Sequence, residues 1–322
     1  MIEVDGLTKM HGQKTAVDAL SFTVAPGIVT GFLGPNGAGK STTMRMIAGL
    51  DAPTSGEVRV NGGDYRATRA PMRELGVLLE AKAVHTGRSA YNHLLALAQT
   101  GGIASRRVKE VIDQVGLSEV ARQRVGGFSL GMGQRLGIAS ALLGDPRTVV
   151  LDEPVNGLDP EGVLWIRELL QDLAADGRTV LISSHLMSEM AQTATRLVVI
   201  GRGRLIADTT VDDFVAMADG ATVSVRTSEP DRLAGLLTGP VNVTIDLDNL
   251  QVTGLSTDQV GSIAWRANLP VYELARHQPS LEDAFLQLTQ DAVEYKPSSG
   301  GGPAGGTADE DANARQLVQA SS

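Results

Sequence analysis

Gly34-Pro35-Asn36-Gly37-Ala38-Gly39-Lys40-Ser41 is the stretch on which the fold turns. It fits G-x-x-x-x-G-K-[ST], follows the apolar run 29–33, and precedes a helical pattern over 40–47, the strand–loop–helix setting a phosphate-binding loop requires. Glycines let backbone amides close round phosphate oxygens with no Cβ in the way, and a helix N-terminus adds partial positive charge. Residues 34–40, with Ser41 and Thr42, are therefore candidates for holding a nucleoside triphosphate. Lys40 supplies a point charge for the outer phosphates and the Ser41 hydroxyl a ligand for Mg²⁺.

Working outward, short apolar runs at 77–79, 149–151 and 180–182 read as strands buried on both faces, and 160–173 as a helix. Val108, Val111, Ile112 and Val115 recur at helical spacing, so 107–115 is a third helix. This alternation predicts an α/β fold, a P-loop NTPase domain over residues 1–219 with a mostly helical insertion over about 85–141. Residues 220–295 have a different rhythm, whose βαββαβ order predicts a small ferredoxin-like α+β domain: strands at 223–225, 241–245, 250–252 and 271–274, short helices between them, and a helix start at Ser280-Leu281-Glu282-Asp283. The Gly-, Pro- and Ser-rich stretch 296–322 lacks the apolar content to offset its chain entropy and is expected to be a disordered tail.

The totals agree with that plan. A chain of 322 residues with 42% hydrophobic and 20% charged residues suits two globular domains. The absence of cysteine excludes a disulfide framework and thiolate metal sites and fits a reducing compartment. Two acids among the first five residues do not make a secretory leader, and no apolar run approaches the roughly 20 residues of a membrane span. A net charge of −9 without a basic block disfavours nucleic acid and anionic lipid as partners.

Two further runs carry chemistry. The buried strand before Asp152-Glu153 ends in two acids: Asp152 is placed to hold Mg²⁺ opposite Ser41, and Glu153 to orient or deprotonate an attacking water. A second strand ends in Ser183-Ser184-His185, which sets an imidazole at the rim of the same sheet.

The order of these motifs resembles the ABC-transporter ATPase family. Phe128-Ser129-Leu130-Gly131-Met132-Gly133-Gln134-Arg135 is similar to its signature, Asn156-Gly157-Leu158-Asp159 to its D-loop and His185 to its switch histidine. The resemblance implies ATP and Mg²⁺ as ligands, ATP hydrolysis with Glu153 and His185 as catalytic residues, Asp159 as the D-loop acid, and a homodimer or pseudodimer sandwiching two nucleotides. Each nucleotide would lie between one subunit's Lys40 and the partner's Ser129 and Gly131.

Within the family, Gly76-Val77-Leu78-Leu79-Glu80, His85-Thr86-Gly87-Arg88, Ser129-Leu130-Gly131-Met132 and Ser280-Leu281-Glu282-Asp283-Ala284-Phe285-Leu286 resemble the drug-resistance branch, the ATPase subunits of ABC-2-type exporters whose prototype confers daunorubicin resistance. That resemblance implies export of a drug, antibiotic or lipid-like substrate through a separate ABC-2-type membrane permease subunit. It also implies a peripheral position on the cytoplasmic face of the cell membrane.

The chain departs from the family at His11, where a tyrosine usually stacks on adenine, and at Glu80, where a glutamine usually approaches the metal. Leu130 and Met132 replace a glycine and a glutamine of the signature. Three other readings share these residues: a nucleotide-dependent regulatory or structural protein with little turnover, a soluble ABC ATPase of translation or DNA repair, and the motor of another transporter type. Retained Glu153 and His185 favour turnover. The soluble ATPases normally carry paired cassettes, a coiled-coil insertion or zinc cysteines that this chain does not show.

Overall fold

The computed structural model describes residues 1–80, 84–217, 222–277 and 279–289. In chain order the elements are β1 (Ile2–His11), β2 (Lys14–Val24), β3 (Val29–Leu33), α1 (Lys40–Ile47), β4 (Ser55–Val60), α2 (Pro71–Glu74), β5 (Leu75–Leu78), α3 (Ala90–Thr100), α4 (Ser105–Gln114), α5 (Leu130–Leu142), β6 (Thr148–Leu151) and α6 (Pro160–Ala175). There follow β7 (Thr179–Ser183), α7 (Met187–Thr193), β8 (Arg196–Gly201), β9 (Arg204–Thr210), α8 (Val211–Ala216), β10 (Thr222–Arg226), α9 (Pro230–Ala234), β11 (Asn242–Asp246), β12 (Asn249–Thr253), α10 (Thr257–Arg266), β13 (Glu273–His277) and α11 (Leu281–Thr289).

A six-stranded sheet runs β5-β6-β7-β3-β8-β9, parallel throughout except for β9 at its edge. β3, β6 and β7 are buried along their whole length, as the unbroken apolar runs require. Successive side chains point to opposite faces, so each strand feeds two cores. Val149, Leu151, Val180 and Ile182 join a cluster with α3, α4, α5 and α6, while Val150 and Leu181 join one with α1 and a three-stranded antiparallel sheet, β2-β1-β4. Helix α5 lies directly on the edge strand β5. A Cβ at Gly76 would stand 2.1 Å from the Ala141 carbonyl oxygen, so only glycine admits the approach.

Residues 222–277 form a second sheet, β11-β12-β10-β13, antiparallel at every pairing. α9 and α10 each connect two parallel strands across the one between them, and the sheet has its own core around Val225, Leu233, Leu250 and Val260. The capping box at Ser256 and Gln259 fixes the start of α10. The last strand begins at Glu273, two residues later than the sequence places it, because Val271 and Tyr272 stay exposed and pairing with β10 starts at Arg226↔Glu273.

One segment does not follow the expected division. The sequence reading assigns the helix after Ser280 to the small domain, yet α11 packs on α7 and α8 of the first. Its buried Leu281, Ala284 and Phe285 complete the cluster that contains Phe214, Met187 and Met190. The reason is the apolar side of α8: without α11, the fully buried Phe214 would face water. The boundary placed at 219–220 and the tail at 296–322 lie outside the described residues.

Candidate functional site

The parallel strands end on one side of the sheet, where ligands of open α/β sheets bind. Gly34 follows β3, Asp152 and Glu153 follow β6, and Ser183 to His185 close β7, so three runs far apart in sequence meet at one edge.

The loop 34–41 is bent by Gly37 and Gly39, at φ 82° and 101°, conformations costly to any residue with a Cβ. At Gly39 a Cβ would also meet the Ala16 carbonyl oxygen at 2.5 Å. Lys40 folds back across the loop, its Nζ donating to the Gly34 carbonyl at 2.6 Å and to that of Pro35 at 3.3 Å. Burial lowers the Lys40 pKa below the ordinary lysine value, although the Glu153 and Asp152 charges act the other way. A cavity of about 250 Å³ opens beside the loop, lined by Lys14, Thr15, Ala16, Asn36, Gly37, Ala38 and Arg202. Thr42 is half-buried in the first turn of α1.

Across the site, the Ser41 hydroxyl donates to Asp152 Oδ2 at 3.1 Å, although 111 residues separate them. Ser183 Oγ donates to the other oxygen of Asp152 and accepts from the Glu153 amide at 3.0 Å. The carboxylate is thus oriented from both sides. Two oxygen donors, Ser41 and Asp152, fit a hard ion such as Mg²⁺, which takes its remaining ligands from phosphate and water.

Glu153 is the second acid. Its φ of 51° is left-handed, rare outside glycine and concentrated at functional positions. Its Oε2 lies 2.6 Å from His185 Nδ1 and also accepts the His185 amide at 3.3 Å. An ionised carboxylate can only accept, so opposite one the shared hydrogen belongs on Nδ1.

The signature stretch stands at the start of α5. Ser129 caps that helix by accepting from the Met132 amide at 3.2 Å, and it is exposed at the helix N-terminus. A Cβ on Gly131 would lie 2.8 Å from the Gly157 carbonyl oxygen, so this stretch and the loop 156–159 touch within one chain. Asp159 caps α6 through the Gly162 amide at 2.9 Å.

His11 and Glu80 lie outside this network. His11 is exposed at the end of the β1–β2 hairpin, paired with Lys14, and does not line the cavity beside the loop. Glu80 is exposed beyond β5. Sequence reasoning missed two contributors. Ser183 carries a weak signal, a hydroxyl closing a buried strand. Gln134 is buried on α5 and donates to the Glu153 carbonyl at 3.0 Å.

Comparisons with known proteins identify the family of the fold. The family described as ABC transporter matches residues 17–156, and a domain of unknown function matches residues 221–282. An uncharacterized ABC transporter ATP-binding protein of Bacillus subtilis is 35% identical over 91% of this chain and 97% of its own length. The daunorubicin resistance ATP-binding protein of Streptomyces coeruleorubidus is 32% identical over 92% of this chain and 98% of its own. Among solved structures, a dimeric bacterial ABC transporter cassette superposes with a TM-score of 0.60 at 25% identity, covering 65% of this chain and 98% of that one.

Proposed function

The chain belongs to the family of ABC transporter ATP-binding proteins, and from that premise we propose that it is the motor of an ABC-2-type exporter. It is an ATPase subunit of the drug-resistance branch. The observation that carries the reading is the meeting of Ser41 with Asp152 at 3.1 Å beside the Glu153–His185 pair at 2.6 Å.

The triphosphate sits on the amides of residues 37–41, with Lys40 exchanging its two loop carbonyls for phosphate oxygens. Ser41 and Asp152 would hold Mg²⁺, which would supply positive charge against the phosphates. Glu153 orients a water and takes one of its protons as the water oxygen bonds to the γ-phosphorus and the bond to ADP breaks. His185 holds that carboxylate through Nδ1. Ser129 and Gly131 of a second copy close the site with a helix N-terminus, so that loss of the γ-phosphate loosens the pair.

Among the described residues no helix is long and apolar enough to cross a membrane. On this reading a separate permease supplies the pore and this chain works at the cytoplasmic face of the membrane, which the ATP-binding relatives named for transport and resistance support. The daunorubicin-resistance relative supports a drug, antibiotic or lipid-like substrate. Two measurements test the reading. Steady ATP turnover should vanish in Glu153→Gln while nucleotide binding and dimerisation persist. A polytopic membrane protein should co-purify from the native host. Undiminished turnover in Glu153→Gln would overturn the assignment of the carboxylate.

A further inference from the structure

Gln134 has no role in the chemistry above, yet it is among the few polar side chains in the core, 4% exposed. It lies just over one turn into α5 from the capping Ser129, and its Nε2 donates to the Glu153 carbonyl oxygen at 3.0 Å. The same oxygen accepts from the Asn156 amide at 3.2 Å, while the Glu153 amide donates to Ser183. Glu153 is therefore fixed through its amide, its carbonyl and, by His185, its carboxylate. Such pinning keeps a non-glycine residue at φ 51°.

The loop that follows Glu153 is held by α5 at a second point. Leu130 covers Gly157, and Gly131 lies against the Gly157 carbonyl. Helix α5 thus grips both ends of the segment 153–157, and its N-terminus is the surface offered to a second copy's nucleotide. A shift of α5 cannot leave Glu153 where it is.

We propose that Gln134 is a positioning residue, through which α5 relays engagement of the signature with a partner's nucleotide to the hydrolytic carboxylate of its own chain. This rests on the dimeric ATPase reading and deepens it by making the two sites interdependent. Misplacement of a positioned group by an ångström is enough to slow a reaction strongly without weakening binding.

The test uses the full-length chain and Gln134→Met, which keeps the volume and removes the donor. Turnover should fall at least tenfold, ATP KM and Kd should stay within twofold, and the Hill coefficient for ATP should drop towards 1. Gln134→Asn, which withdraws the same amide by one methylene, reads the same quantities if the methionine variant does not fold. A purely structural role would lower the melting temperature and leave the Hill coefficient alone. An unchanged turnover number overturns the proposal. So does a fall in turnover with an unchanged Hill coefficient, or a wild-type coefficient of 1. Wild-type turnover that disappears in Glu153→Gln shows the underlying reading standing by itself, so its failure and the failure of this inference are separable.

Discussion

Leu130 lies so close over Gly157 that a Cβ on the glycine would come within 2.3 Å of the leucine Cγ. Leu130 occupies a signature position where the family has glycine, and the loop opposite has no side chain at the contact. The two positions fit only as a pair.

Gly157→Ala tests that fit. The substitution meets Leu130 and forces alanine to φ 75°, which alone costs about 1 kcal/mol. A melting temperature lower by at least about 2–4 °C is expected, together with reduced ATPase activity. Adding Leu130→Ala should recover part of the stability, because it removes the clash and leaves the backbone strain. Equal melting temperatures for the single and double variants would rule the contact out as the cause.

Lys40 gives a pH dependence. Burial sets its folded pKa below the ordinary lysine value. Between those two values the unfolded chain binds the extra proton, so stability of the nucleotide-free protein rises with pH across that window. ATP affinity runs the opposite way, since the phosphates need the cation: Kd should increase as pH rises, before exposed lysines titrate. Lys40→Met should flatten both trends. Calorimetric titration and thermal melts from pH 7.5 upward measure them.

Ser183 should control the metal without touching it. Its hydroxyl holds one oxygen of Asp152 while Ser41 approaches the other. Outer-shell partners of this kind change metal affinity by roughly 10–100-fold. Ser183→Ala should therefore raise the Mg²⁺ concentration for half-maximal ATPase by about that factor, with activity recovered at high Mg²⁺. Chelation should abolish turnover in both proteins.

Phe285 anchors the end of the described chain to the first domain. It is 8% exposed in the cluster around Phe214, so Phe285→Ala should destabilise by about 3–5 kcal/mol. Trp165 lies in the first domain beneath Arg135, 4.3 Å from ring centre to guanidinium carbon, and Trp265 is exposed on α10. In a Trp265→Phe background, Trp165 fluorescence should report the lowered midpoint. An unaltered Trp165 transition would mean that α11 does not support the first domain.

Local signals explain what was readable in the chain. The phosphate loop, the bounds of α1 and the strand before Asp152 follow from glycine spacing and unbroken apolar runs. The β2-β1-β4 sheet leaves no clean sequence signal because β1 has register shifts at Val4/Leu7, Leu7/Lys9 and Lys9/Met10, which break the period-two alternation. Gln134 and Ser183 act on Glu153 across 19 and 30 residues. No spacing rule reports such a contact; the sheet order and the seat of α5 create it. Helix α11 was visible as a helix, but its own pattern does not say which of two apolar surfaces it covers.

Because α8 leads out to the small sheet and α11 leads back, both ends of that unit are fastened to one patch of the ATPase body. That patch includes α7, which touches α11 and begins two residues beyond His185. The last described helix thus buttresses the helix that starts at the rim of the nucleotide site.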